Sequence, residues 1–161
     1  IMKQRLNYME VDPKLIKAMF ALAAPVAQSG LDPKLIDLIH YRVSQINGCA
    51  YCLDMHSKDL RAAGETEQRL FVLDAWRDAP FYSERERAAL AWAEAVTLLT
   101  NKDVPDDVYE EARAHFSEQE LAALTLSVVA INGWNRLNIA FRTEAGGYQP
   151  GMFKTAAHAK A

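Results

Sequence analysis

The residues best equipped for chemistry gather in one decapeptide, NGCAYCLDMH, at positions 47–56. It holds both cysteines of the chain, Cys49 and Cys52, with His56 four positions after the second. Two thiols and an imidazole so close suit a redox-active dithiol, a zinc site, a haem attachment or an iron–sulfur ligand set. Two small apolar cysteines beside a hydrogen-bonded core histidine are the plain alternative. Haem attachment needs histidine directly after the second cysteine, where Leu53 stands, and an iron–sulfur cluster normally takes four cysteines. A thioredoxin-like centre needs a βαβ setting that the pattern lacks. Zinc stays open through Cys49, Cys52 and His56, with Asp37 or His40 as fourth ligand. Structural zinc sites, however, usually show a second ligand pair at comparable spacing, and none is present.

On a helical wheel Cys49, Cys52, Leu53, His56, Leu60 and Ala63 share one face, while Asp54, Lys58 and Arg61 point toward water. The i,i+3 interval brings the thiols within reach of a disulfide. The i,i+4 interval brings His56 within hydrogen-bond reach of Cys52. The positive end of the helix dipole favours a thiolate at Cys49, the histidine favours one at Cys52, and burial opposes both.

The elements that must hold these groups read as helices nearly throughout. The words DPKLI occur at 12–16 and at 32–36, a reused helix start with Asp12 and Asp32 as N-caps and proline in the first turn. The second such helix carries Leu35, Leu38, Ile39, Val43 and Ile46 on one face and breaks at Asn47-Gly48. The cysteine helix starts at about Cys49 and ends before Gly64. A short helix is expected from Thr66 through Trp76. Ser83 with Glu86 forms a capping box for a helix bearing Leu90, Trp92, Val96 and Leu99. A helix follows Pro105. Ser117 with Glu120 is a second capping box, opening a long last helix with Leu121, Leu124, Val128, Asn132, Asn135 and Ile139 on one stripe. The fold class is all-α, a bundle of about six to eight helices in a single domain spanning 1–161, with 151–161 a loose tail.

Length and charge narrow the partners. A chain of 161 residues buries a core without metal or disulfide support. A net charge of −3 without a basic run argues against nucleic acid and anionic membranes. No signal-like or membrane-spanning stretch occurs, so a cytoplasmic location is expected, where a standing structural disulfide is unusual.

The segment LIDLIHYRVSQINGCAYCLDMH followed by LRAAGET resembles the core of the carboxymuconolactone decarboxylase superfamily, more specifically its AhpD-like alkylhydroperoxidase branch. LSVVAINGWNRLNIAFR resembles the asparagine–tryptophan–asparagine–arginine segment of peroxidase-related members. The resemblance implies an all-helical, homo-oligomeric protein, trimer or hexamer, that reduces a hydroperoxide substrate with electrons from an unknown thiol reductant and needs no cofactor. It makes Cys52 the attacking thiol and Cys49 the resolving one. It also implies a proton relay of His56 with the acid twelve positions before the first cysteine, here Asp37. The family typically has glutamate there, so the shorter Asp37 is expected to reach His56 directly or through water. Tyr51 stands where the best-known alkylhydroperoxidase has a relay histidine; a phenol donates a hydrogen bond but is a poor base. True lactone decarboxylases generally lack the cysteine pair, which turns the expectation toward peroxide. The alternatives are a metal-binding module and a redox-sensing oligomeric scaffold with little turnover.

Further residues have supporting roles in this reading. His40, one turn after Asp37, joins the relay or lies on the surface. Asn135 and Arg136 lie near the thiols or, the plainer expectation, the asparagines hold helices in register. Trp134 is a core or interface residue. Arg42 is a solvated helix charge, or faces Asp37 or a partner subunit.

Overall fold

The computed structural model describes residues 2–153. Among them are nine α-helical segments and no strand. They are α1 (Tyr8–Val11), α2 (Pro13–Ala21), α3 (Ala23–Ala27), α4 (Pro33–Asn47), α5 (Ala50–Ala62), α6 (Glu67–Phe71), α7 (Glu84–Leu98), α8 (Asp106–His115) and α9 (Glu118–Phe141). The all-α expectation holds. Six of the nine run nine residues or more; the short α1, α3 and α6 account for the excess over the expected number. No helix among the described residues is long and apolar enough to cross a membrane.

Local chemistry sets most boundaries. Asp12 and Asp32 accept from the backbone N–H of Lys14 and Lys34 at 2.9 Å, so both DPKLI words open helices as expected. Both capping boxes form, at Ser83–Glu86 and Ser117–Glu120. The expected helix over 66–76 is instead α6 followed by a 3-10 turn, Leu73–Ala75, because the chain leaves helical geometry at Val72. Leu99 was expected within the helix that Ser83 opens; it lies beyond the end of α7 in a left-handed conformation and is exposed.

Helix α4 is the axis of the molecule and packs against α5, α7 and α9. Its Leu38, Ile39 and Val43 are shut from solvent and meet Leu60, Leu90, Leu124, Val128 and Ile131. A fully buried aliphatic side chain of this kind contributes about 1.5–3 kcal/mol. Arg42, expected in solvent, is buried and pairs with Glu94 (2.8 Å) and Asp74. Burial alone would raise the Glu94 carboxyl, but hydrogen bonds from Trp76, Arg42 and Arg77 outweigh it and hold the group below the usual carboxylate range.

A polar seam crosses the α4–α9 contact. Asn47 Nδ2 donates to Asn132 Oδ1 and Asn135 Oδ1, both at 2.9 Å, and Asn135 Nδ2 donates to Ser44 Oγ at 3.0 Å. Asn135 and Asn132 thus join the helices, and Arg136 is turned outward onto Asn132. After α9 the chain folds back on α5. Lys58 Nζ pairs with Asp54 and donates to the carbonyls of Gly146 and Tyr148, while Tyr148 donates to Asp59. Of the expected tail, Phe153 stacks near Tyr148 and Phe20; residues 154–161, His158 included, lie outside the described residues.

The α4–α5 junction carries the geometry of the cysteines. Gly48 takes φ +70°, which lets its own N–H reach Gln45 O and that of Cys49 reach Ser44 O. Gly48→Ala has open space for its Cβ, so only backbone strain is added. Urea unfolding should show a loss of about 1 kcal/mol, with helix content retained.

Candidate active site

Cys49 ends α4 through its N–H and begins α5 as its N-cap, its Sγ accepting from Cys52 N–H at 3.4 Å. The two cysteines are joined as a disulfide with Cα atoms 5.4 Å apart, and both are buried. The zinc arrangement built on both thiols is therefore not assembled here. Along α5 the expected inward face is present for Cys52, His56 and Leu60, whereas Ala63 lies at the exposed helix end.

Cys52 and His56 line a common cavity of about 270 Å³, walled by Tyr8, Phe20, Met55, Trp134, Tyr148 and Phe153 among others. Trp134 thus serves the cavity as well as the core, with its ring 5.2 Å from that of Phe20. His56 is buried, and neither ring nitrogen has a hydrogen-bond partner. A buried polar group left this way costs about 1–3 kcal/mol, and a cavity beside a sulfur is where a proton-carrying ligand or water repays it.

Helix α4 supplies the groups behind the imidazole. Asp37 Oδ1 stands 3.6 Å from His56 Nδ1, an ion-pair distance longer than a hydrogen bond. The His40 ring meets that of His56 edge-on with centroids 5.0 Å apart, and His40 Nε2 is 2.7 Å from Ser127 Oγ. Burial, and then the neighbouring His56, push the His40 imidazole down to about 3 against the pull of Asp37. His40 is therefore a neutral ring at physiological pH. Donor atoms of Asp37, His40 and His56 all lie within 4.8 Å of one another, so these three, not the cysteines, are the described residues that can hold a metal ion together.

Asn138 was not singled out from the sequence, yet it touches the sulfur. Its Nδ2 donates to Cys52 Sγ at 3.3 Å, and its Oδ1 accepts from Tyr8 O–H at 2.9 Å. Burial, and then Tyr51 nearby, raise the Tyr8 phenol to about 12, so it keeps its proton and fixes which end of the amide faces the sulfur. The available signal was a third asparagine at i+3 from Asn135; nothing local marks Tyr8. Tyr51 is half-buried, and burial with Asp54 raises its phenol, so it is not a base. Asn135, one turn before Asn138, belongs to the seam rather than to the thiols.

A model of the carboxymuconolactone decarboxylase family matches residues 13–95, a span that includes both cysteines, His56 and Asp37. This chain belongs to that family. An uncharacterized protein of Bacillus subtilis, YdfG, is 44% identical over 144 residues, covering 89% of this chain and 98% of its own length. The crystal structure of an Agrobacterium tumefaciens protein of unknown function is 44% identical, with TM-score 0.86, 91% of this chain and 100% of that chain covered. Alkyl hydroperoxide reductase AhpD of Mycobacteroides abscessus is 41% identical over 54 residues, 34% of this chain and 30% of that protein. The fold is that of AhpD-like, peroxidase-related proteins.

Two outcomes follow from these family-member contacts. In a Cys49→Ser background, Asn138→Leu should raise the Cys52 thiol pKa by about one unit or more, since a hydrogen bond to a charged group contributes about 1.5–3 kcal/mol; the pH dependence of iodoacetamide alkylation reads it. His40 in the unfolded chain titrates near 6.5 but in the folded protein at about 3. Between these values the unfolded chain binds the extra proton, so this group lowers stability as pH falls through that window and has no effect above it. Urea midpoints at pH 5 and pH 7 should converge in His40→Gln relative to the unsubstituted protein.

Proposed function

We propose that the protein is a thiol-dependent peroxidase that reduces hydroperoxides through the Cys49–Cys52 pair. The observation that carries the reading is a cysteine pair of which Cys52 borders a cavity that a buried histidine with no hydrogen bond also lines. In the reduced protein His56 accepts the Cys52 proton, and Asp37 at 3.6 Å stabilises the imidazolium. Asn138 Nδ2 steadies the thiolate. The thiolate attacks the terminal oxygen of the hydroperoxide; the O–O bond breaks, Cys52 becomes a sulfenic acid, and the departing alkoxide takes the proton from His56. Cys49 then attacks the Cys52 sulfur, a disulfide forms and water leaves. Two electrons and two protons from a thiol reductant restore both cysteines. His40 stays neutral and so does not compete for the proton.

A second reading rests on the Asp37, His40 and His56 cluster: a metal-binding module, whose ion would be expected in protein prepared without chelators. Metal analysis by mass spectrometry separates the two, because the peroxidase needs none.

Treating the prereduced protein with one equivalent of cumene hydroperoxide should yield a Cys49–Cys52 disulfide by peptide mapping. Cys52→Ser should leave peroxide consumption at background, and His56→Gln should lower it about 10²-fold or more, the usual contribution of a general base. Two unchanged thiols in the unsubstituted protein would refute the proposal.

A further inference from the structure

The two sulfurs of the pair open on different cavities. The aromatic cavity reaches Cys52 and not Cys49. A second cavity of about 390 Å³, lined by Gly48, Cys49, Ala50, Ile139, Arg142 and Ala145 among others, reaches Cys49 and not Cys52. Tyr51 and Asn138 line both, and so form the septum between them. We propose that the two half-reactions use separate entrances: the oxidant meets Cys52 through the aromatic cavity, and a thiolate reductant attacks Cys49 through the second. The oxidant half rests on the function proposed above; the reductant half does not.

The chemistry of each lining decides the assignment. The nucleophile that opens a disulfide is an anion. In the aromatic cavity it would shed water among Tyr8, Phe20, Met55 and Trp134, with no lysine or arginine in the lining and the Asp59 carboxylate present. The second cavity offers the Arg142 guanidinium, with Glu144 opposing it, and the amino-terminal end of the thirteen-residue α5, at which Cys49 is the cap. Ile139 was expected on the buried stripe of α9; it is exposed and borders this cavity.

Attack from this side also gives the better departure. The reductant sulfur bonds to Cys49 Sγ, the S–S bond breaks, and its electron pair leaves on Cys52 Sγ. That sulfur already accepts from Asn138 Nδ2 at 3.3 Å and takes a proton from His56 or water. A second thiol of the reductant then attacks the reductant's own sulfur in the mixed disulfide. Cys49 is released as a thiolate and protonated by solvent, and the reductant leaves as its disulfide, having supplied both electrons.

Exposed alanines border each cavity, Ala145 the second and Ala23 the aromatic one, so a tryptophan at either narrows one entrance without entering the core. The protein is oxidised with diamide and its reduction by dithiothreitol followed by quenched thiol counting. Ala145→Trp should slow this step about tenfold or more, because exchange rates follow access to the attacked sulfur, while Ala23→Trp should leave it near the unsubstituted rate. Oxidation of the prereduced proteins by cumene hydroperoxide should show the reverse pattern. Ile139→Trp repeats the first arm at an independent position, and near-ultraviolet circular dichroism confirms the folded state of each variant. Reduction slowed only by Ala23→Trp, by both variants alike, or by neither would overturn the assignment. Failure of the peroxidase reading shows separately, as an unsubstituted protein that cumene hydroperoxide does not oxidise.

Discussion

The left-handed turn at Gly48 is the constraint on which the site depends. It lets Cys49 close α4 with its N–H and open α5 with its sulfur, so two helices share a single residue as their joint. A tighter connection between two long helices is hard to build, and its effect is geometric. Asp37 and His40 on α4 are brought against His56 on α5, a full helix away along the chain. The sulfur of Cys49 inherits its position from backbone hydrogen bonds, the least adjustable interactions in the molecule.

Around that joint, buried polarity is sorted by depth along α9. The asparagines at 132 and 135 both accept from Asn47 of α4, and Asn135 donates back to Ser44, which fixes the register of the central pair of helices. One turn further the same residue type, Asn138, accepts from Tyr8 through its oxygen and donates to a sulfur through its nitrogen. Fully satisfied polar networks stiffen their surroundings, and here the seam lies one helical turn from the asparagine that contacts the cysteine pair. His56 departs from the pattern. In a core where its neighbours are satisfied, its two ring nitrogens have no hydrogen bond, and Asp37 faces one of them only at ion-pair distance.

How much of this was legible in the sequence follows the range of the interactions involved. N-caps, capping boxes and the Asn47-Gly48 break depend on residues a few positions apart, and Asp12, Asp32, Ser83 and Ser117 behave as their spacing says. The face shared by Cys52 and His56 is a matter of helical period and was equally readable. Periodicity does not say where a helix ends or leaves the core, which is why Leu99 falls just past α7 and Ile139 is exposed against expectation. Nor does it say which charge will find a buried partner: Arg42 meets Glu94 from fifty-two positions away. Tyr8 and Asn138 are brought together across 130 positions, a distance at which no local pattern operates.

The strap that returns along α5 has a consequence for how such a protein diverges. The span shared with the family, 13–95, contains both cysteines, His56, Asp37 and His40, but not Asn138 or Arg142. Tyr148 and Phe153, which wall the cavity, lie well past it and are tied to the outer side of α5 through Asp54, Lys58 and Asp59. Part of the cavity wall is thus written outside the stretch that holds the cysteines and His56. A lineage can reshape that part of the wall without touching the cysteines or His56, and so change what the cavity admits while its floor stays the same.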